Sequence, residues 1–334
     1  MSTRSQNKKI IAEVGSVHDG SFGNACKLIE VGAQCGADVV KFQTHIAEAE
    51  TLPNAPSPGY FSAESRWDYF NRTAFTKSQW VELSRVCKAN GVEFLSSPFS
   101  EEAVDLLEEV GVDAYKVASG EVTNLPLLER IALTGKTVYL SSGMSSWSEL
   151  DDAVEALSTH CPVIVMQCTS AYPCPPEKVG LNIISEIRER YKLPVGFSDH
   201  AEGLAAGFAA AALGAVVIEK HLTFSRLMYG SDAANGTEPK EFRDYCKGIR
   251  EIWKMNASPV DKEDLSDVAD MKFIFQKSIV AATDIDADTR LERQHLRYKK
   301  PGDGIPARDY KTVIGRKLLR SVKKDQQIKD VDLT

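Results

Sequence analysis

Two histidines give this chain its first chemical signal. His200 ends the segment PVGFSDH (194–200), and His221 sits near the end of VVIEKHLT (216–223), with an Ala/Gly-rich helical stretch, 202–215, between the two apolar runs. That order is a strand, helix, strand unit. In a barrel of parallel strands the carboxyl ends of the strands carry the chemistry, so both imidazoles would share one mouth. Period-two alternation sets Ser198 with His200 on one strand face and Glu219 with His221 on the matching face of the next. Neutral imidazole is a common metal ligand, and two of them leave most coordination positions of a divalent ion open to water or substrate, as a Lewis acid requires. The competing role for the pair is to cap strand ends by hydrogen bonds alone.

The elements that must position these side chains repeat along the chain. Short apolar runs predict strands at 9–15, 39–44, 93–99, 114–120, 137–143, 163–169, 194–200 and 216–223, and helical spacing of apolar residues predicts helices at 24–37, 78–89, 101–110, 125–133, 148–157, 183–191, 202–215 and 240–254. Strands that alternate with helices in this number describe a (β/α)8 TIM barrel over residues 1–256. A doubly wound open sheet is the alternative, but it would want a Gly-rich phosphate loop after its first strand, and GSVHDG at 15–20 lacks that spacing. A linker follows at 257–276, around the polar run 258–270, and residues 277–334 change to a small β-rich module with segments at 278–283, 296–299 and 316–322. The rhythm breaks once, at 45–76. This insertion after the second strand carries Tyr60, Phe61, Trp67, Tyr69 and Phe70, and it is placed to act as a lid or as a satellite core.

A purely structural barrel would fill its inner face with aliphatic side chains at both ends. Here the strand ends offer Glu13, Lys41 with Gln43, Ser97, Lys116, Ser141 and Ser142, Thr169, Ser198 with His200, and Glu219 with His221. Lys41 and Lys116 together with several serines describe an anion site suited to phosphate plus carboxylate. A metal beside an anion site implies two substrates, one coordinated through a carbonyl oxygen and one held by its charges.

Composition narrows the class. The chain has 334 residues, 43% apolar content and a formal charge of −7, and no run of apolar residues is long enough to span a membrane. The start has charges without an apolar core of a signal peptide, which predicts a cytoplasmic protein. Seven cysteines without paired spacing read as reduced core thiols. From Met271 onward Lys and Arg outnumber Asp and Glu by 15 to 9, yet the charges are interleaved rather than gathered into an arm, so no nucleic-acid partner is expected.

The motifs IIAEVG, VVKFQT, SSPFS, YKVASGE, LSSGM, CTSAYP, GFSDH and EKHLT occur in that order. On them, residues 9–334 resemble the N-acetylneuraminate (sialic acid) synthase family, which condenses phosphoenolpyruvate with an N-acyl hexosamine and ends in an antifreeze-like (SAF, β-clip) domain. The resemblance implies that His200 and His221 bind a catalytic divalent ion, Mn²⁺ first, with Mg²⁺ and Co²⁺ as alternatives. It implies phosphoenolpyruvate on Lys41, Ser97, Lys116, Ser119, Ser141 and Ser198, and the acceptor sugar on Gln43, Glu121, Tyr172 and Asp232, with Glu13 near the reacting carbons. C3 of the enol ester would add to the polarised sugar aldehyde. Water would then attack C2, and phosphate would leave by C–O cleavage to give a nonulosonic acid. Glu13 is either the general base or a carboxylate that only pairs with a lysine. The family also implies a domain-swapped homodimer in which the small domain closes the partner's barrel.

Departures from the family pattern sit toward the sugar. Lys300 stands where the family's arginine contacts the N-acyl group, and lysine lacks the planar fork. Val17-His18 replaces Asn-His, and Ser170 stands where some relatives carry Asn. The acceptor is therefore left open between N-acetylmannosamine, its 6-phosphate and the 2,4-diacetamido-trideoxy hexoses. Three other readings compete: a pyruvate-dependent class I aldolase with Lys116 or Lys220 as Schiff-base nucleophile, a non-catalytic carbohydrate-binding protein, and a 3-deoxy-heptulosonate or octulosonate phosphate synthase. Alternation turns Lys220 away from the face of Glu219 and His221.

Overall fold

Apolar runs with inward and outward alternation fold as eight parallel strands, closed on themselves in the order of the chain: β1 (Lys9–Gly15), β2 (Val39–Thr44), β3 (Glu93–Pro98), β4 (Ala114–Val117), β5 (Thr137–Ser141), β6 (Val163–Cys168), β7 (Val195–Asp199) and β8 (Val217–His221). The computed structural model describes residues 8–57, 64–230 and 232–334. The fold is a (β/α)8 TIM barrel followed by a small β-rich unit. Tyr60 and Phe61 of the insertion lie outside the described residues.

The barrel's inner face is built in layers. Ile11, Val39, Leu95, Ala114, Tyr139, Met166 and Val217 form an apolar floor. Two positions further along the same strands, hence on the same face, stand Glu13, Lys41, Ser97, Lys116, Ser141, Cys168 and Glu219. On β7 the floor position is Gly196, where an added Cβ would lie 2.9 Å from the Val217 carbonyl and 3.0 Å from Met166 Cγ, so the floor has no room for a side chain there. The outer faces of the strands pack on the surrounding helices through a second, larger cluster that includes Val14, Val40, Phe42, Leu83, Leu107, Tyr115, Ile187 and Phe242.

Local chemistry fixes the helix ends. Ser21 caps Phe22–Cys35 by accepting from Asn24 N–H, Thr76 with Gln79 and Ser146 with Glu149 form reciprocal boxes, and Gly36 and Gly111 close helices in the left-handed region. The helix expected at 202–215 is confined to Ala205–Ala212, because Gly203 and Gly214 both take positive φ. β4 stops at Val117, and Ser119–Glu121 turns as a short 3-10 helix.

The insertion forms helices at Ala47–Glu50 and Arg66–Thr73, and Ala47, Tyr69 and Phe70 make a small buried cluster with Trp67 against it. The chain divides into two compact units between Ser258 and Pro259. In the second, a helix at Ala269–Phe275 covers the end of the stretch read as a linker. β9 (Ser278–Ala281) then pairs antiparallel with β10 (Leu296–Lys299) over a core of Ile279, Leu291, Leu296, Val313, Leu318 and Leu333. The segment 316–322, expected to be β, is a correction: it makes isolated bridges from Lys317, Leu318 and Val322 to Arg290, Leu333 and Ile285 rather than a continuous strand, since no single run of residues pairs along it.

Candidate active site

The polar layer above the apolar floor opens into a cavity of about 470 Å³ at the carboxyl ends of the strands. Register brings its charges together. Glu13 lies opposite Lys41 on one side and His221 on the other, and Ser198 lies opposite Glu219. Lys41 Nζ is 2.8 Å from Glu13 Oε2 and 3.6 Å from Glu219 Oε1. Lys116 Nζ approaches the same Glu219 oxygen at 3.5 Å and donates to Ser141 Oγ at 2.8 Å. Glu219 is therefore the counter-ion shared by both ammonium groups. Burial pushes its carboxyl up, but Lys116 and then Lys41 outweigh that and hold it down at about 2. Burial likewise disfavours charge on Lys41, yet Glu13 and Glu219 raise its pKa above the usual value, so it stays an ammonium.

Both imidazoles stand at this mouth, ring centroids 5.7 Å apart. His200 Nδ1 faces the Thr169 carbonyl at 2.9 Å, and a carbonyl can only accept, so Nδ1 carries a proton and Nε2 is the nitrogen that a neutral ring would offer to an ion. Burial pulls His200 down, but the Cys168 sulfur beside Nδ1 and the Thr169 carbonyl raise it overall. His221 is lowered by burial against the pull of Asp232 and Glu13, which favours its neutral form. Its Nδ1 is buried without a hydrogen-bond partner, as are Glu219 Oε2, Ser97 Oγ and Ser170 Oγ. Such orphaned polar atoms at one mouth fit a site completed by an ion and a ligand rather than a self-satisfied core. Among the described residues no group of three or more His, Cys, Asp or Glu is set for a metal. The residues fit an ion held by two protein nitrogens with its other positions open.

Toward solvent the lining changes character. Gln43 Nε2 donates to Glu13 Oε1 at 2.9 Å, and its Oε1 lies 3.2 Å from His45 Nε2. His45 is sandwiched between the Phe70 and Phe99 rings, centroids 3.8 and 4.2 Å away, and its Nδ1 is 2.8 Å from Glu50 Oε1. Asp232 Oδ2 accepts from Ser16 N–H and Oγ, both at 2.8 Å, and Gly15 opposite has positive φ and would push a Cβ to 2.3 Å from that oxygen. Burial raises Asp232, but His221 and the Ser16 bonds lower it overall. Burial raises Glu121, whose Oε2 accepts from Asn124. The Tyr172 ring lies 4.2 Å from that of His200.

The structure thus brings Glu13, Lys41, Gln43, Ser97, Lys116, Ser119, Glu121, Ser141, Tyr172, Ser198, His200, His221 and Asp232 around one cavity. Lys300 belongs to the second unit, where its ammonium sits 4.6 Å from the centroid of the Phe275 ring. Ser142 and Thr169 are corrections to the polar ring. As neighbours of the inward Ser141 and Cys168 they face the other way, with Ser142 donating to Gln167 Oε1 at 3.0 Å and Thr169 to the Lys178 carbonyl at 2.7 Å. His18 is buried against Phe75 rather than in the cavity.

Sequence reasoning missed Glu219 as the common counter-ion, and Arg66, His45 and Asn235 as lining, whereas Phe70, expected in a lid or a satellite core, both lines the cavity and joins the small buried cluster. Glu219 was legible from its period-two spacing to His221, but the loop residues carried no periodic signal. No helix among the described residues is long and apolar enough to cross a membrane, and all seven cysteines are free.

A model of the NeuB family matches residues 28–261, and one of the SAF domain matches residues 276–334. The chain is 35% identical to an N,N'-diacetyllegionaminic acid synthase of Campylobacter jejuni over 96% of this chain and 98% of that one. It is 34% identical to the human N-acetylneuraminate-9-phosphate synthase over 96% of this chain and 90% of that one. Among solved structures, the N-acetylneuraminic acid synthetase of Leptospira borgpetersenii is similar with a TM-score of 0.70 and 29% identity, covering 80% of this chain and 90% of that one.

Proposed function

The chain belongs to the NeuB family and carries a SAF domain, and on that premise we propose that it is a metal-dependent synthase joining phosphoenolpyruvate to an N-acyl hexosamine, with release of phosphate. It is an enzyme of the sialic acid synthase type, and its product is a nonulosonic acid. The observation that carries the donor and metal assignment is the charge balance of the cavity. Its lining holds Lys41, Arg66 and Lys116 against Glu13, Glu121, Glu219 and Asp232, and both lysines are already engaged by carboxylates. An anionic donor brought into such a site lacks positive charge, and a dication on the paired imidazoles supplies it.

Lys41 and Lys116 hold the donor's phosphate and carboxylate, and the hydroxyls of Ser97, Ser119, Ser141 and Ser198 complete its hydrogen bonds. His200 and His221 would hold a divalent ion, Mn²⁺ by preference, which would supply Lewis-acid activation of the acceptor's aldehyde. Gln43, Glu121, Tyr172 and Asp232 orient the acceptor. Glu13, 2.8 Å from Lys41 Nζ and fixed by Gln43, holds a proton-accepting oxygen beside the reacting carbons. The acceptor in this reading is N-acetylmannosamine or a 2,4-diacetamido-trideoxy hexose, and the protein is a cytoplasmic homodimer.

The test is phosphate release from phosphoenolpyruvate with Mn²⁺ against N-acetylmannosamine, its 6-phosphate and the 2,4-diacetamido-trideoxy hexoses. Chelation should stop turnover and Mn²⁺ restore it, whereas Lys116→Met should lower kcat/KM for the donor by about 10²–10³-fold. Turnover unaffected by chelator, or a borohydride-trapped pyruvate adduct, would point instead to Schiff-base chemistry.

A further inference from the structure

The two imidazoles are not positioned by their own contacts alone. Behind them, on the helix side of the sheet, β7 and β8 are joined by a buried ion pair. Asp199 and Lys220 are direct register partners, and Lys220 Nζ lies 3.0 Å from Asp199 Oδ2, with side chains 0% and 5% exposed. Each member sits next in sequence to one imidazole, since Asp199 precedes His200 and Lys220 precedes His221. The pair also grips the residue that follows His200. Ala201 N–H donates to Asp199 Oδ1 at 3.0 Å, and Lys220 Nζ donates to the Ala201 carbonyl at 2.8 Å. Helix Pro239–Asn256 anchors the arrangement, with Tyr245 O–H donating to Asp199 Oδ2 at 2.7 Å and the Lys220 ammonium 5.3 Å from the centroid of the Tyr245 ring. Gly207 makes room, since a Cβ there would fall 1.9 Å from the Tyr245 hydroxyl oxygen.

A buried ion pair is weak evidence for stability, because desolvation consumes most of its attraction and a neutral pair of similar shape is often as stable. What such a pair does provide is fixed geometry. We propose that Asp199, Lys220 and Tyr245 are positioning residues that set the separation and aim of His200 and His221, so that two nitrogens from adjacent strands converge on one divalent ion. This rests on the metal role given to the two histidines above. Alternation is what makes it work: with Asp199 and Lys220 turned outward, the residues after them must turn inward. Groups that orient metal ligands from behind commonly matter about 10–100-fold in metal affinity.

The measurement is Mn²⁺ binding by titration calorimetry on the full chain, alongside its thermal midpoint. The doubly neutral variant Asp199→Asn with Lys220→Met is expected to melt close to the parent yet bind Mn²⁺ at least about 10-fold more weakly. Tyr245→Phe, which keeps the ring and removes the hydroxyl, is expected to weaken binding by a smaller factor, and it serves if the double variant does not fold. Parent affinity in both folded variants, or in Tyr245→Phe alone where the double variant is unfolded, overturns the positioning role. His200→Ala separates the premises: if it leaves Mn²⁺ binding intact, the ion is not held by the imidazoles, and the metal reading falls together with the clamp.

Discussion

Glu219 is the residue on which the cavity's electrostatics turn, because one of its oxygens faces two ammonium groups. Removing its charge leaves both lysines buried without their common counter-ion. Glu219→Gln should therefore lower unfolding free energy in urea by about 3–5 kcal/mol, the cost of breaking a buried pair. Phosphoenolpyruvate should return more stability to this variant than to the parent, since it restores the missing negative charge. His18 tests a different kind of burial. Desolvation in its aromatic pocket lowers it to about 4, below the usual histidine value of 6.5. The unfolded chain then binds the extra proton first, so the contribution of this group is fully present above about pH 6.5 and is lost as pH falls toward 4, a change of about 3 kcal/mol. Urea denaturation from pH 7 to 4 checks this, and a folded His18→Phe variant should lack that part of the slope.

At the scale of elements, two glycines separate packing from chemistry. Gly196 lies in the barrel floor against a backbone carbonyl that cannot move aside. Gly196→Ala is expected to cost about 1–3 kcal/mol by denaturation. At Gly143 an added Cβ would meet Ser119 Oγ at 2.5 Å and Ser170 Oγ at 2.6 Å, both on the cavity lining. There, Gly143→Ala should raise KM for phosphoenolpyruvate with a smaller effect on the melting temperature. The strands were legible because each apolar run is short, bounded and alternating, and this also revealed that Lys220 faces away from the cavity. The ends were not, because Gly203 and Gly214 act through backbone conformation that composition does not weigh. The segment 316–322 misled for another reason: it has strand-like residues but only scattered partners.

For the whole molecule, the two units have separate cores. All the tryptophans (Trp67, Trp80, Trp147 and Trp253) belong to the first unit, and the second has only Tyr298 and Tyr310 for aromatic fluorescence. Tryptophan emission during thermal unfolding should therefore report the barrel alone. Mn²⁺ with phosphoenolpyruvate is expected to raise that midpoint by mass action. A midpoint unmoved by the ion and the donor together would argue against the cavity as their site.

The repeat of strand and helix, the polar residues two positions beyond apolar ones, and the pairing of two histidines with two lysines were all decided by the sequence, because periodicity is a property of near neighbours. Only tertiary structure decided that Lys41 and Lys116 share Glu219, that the segment after β2 brings His45, Arg66 and Phe70 over the mouth, and that Asp199 and Lys220 lock the strands behind the imidazoles. These contacts join residues far apart in the chain. They exist because the barrel closes, with β1 paired to β8, and closure is a condition on all eight strands at once.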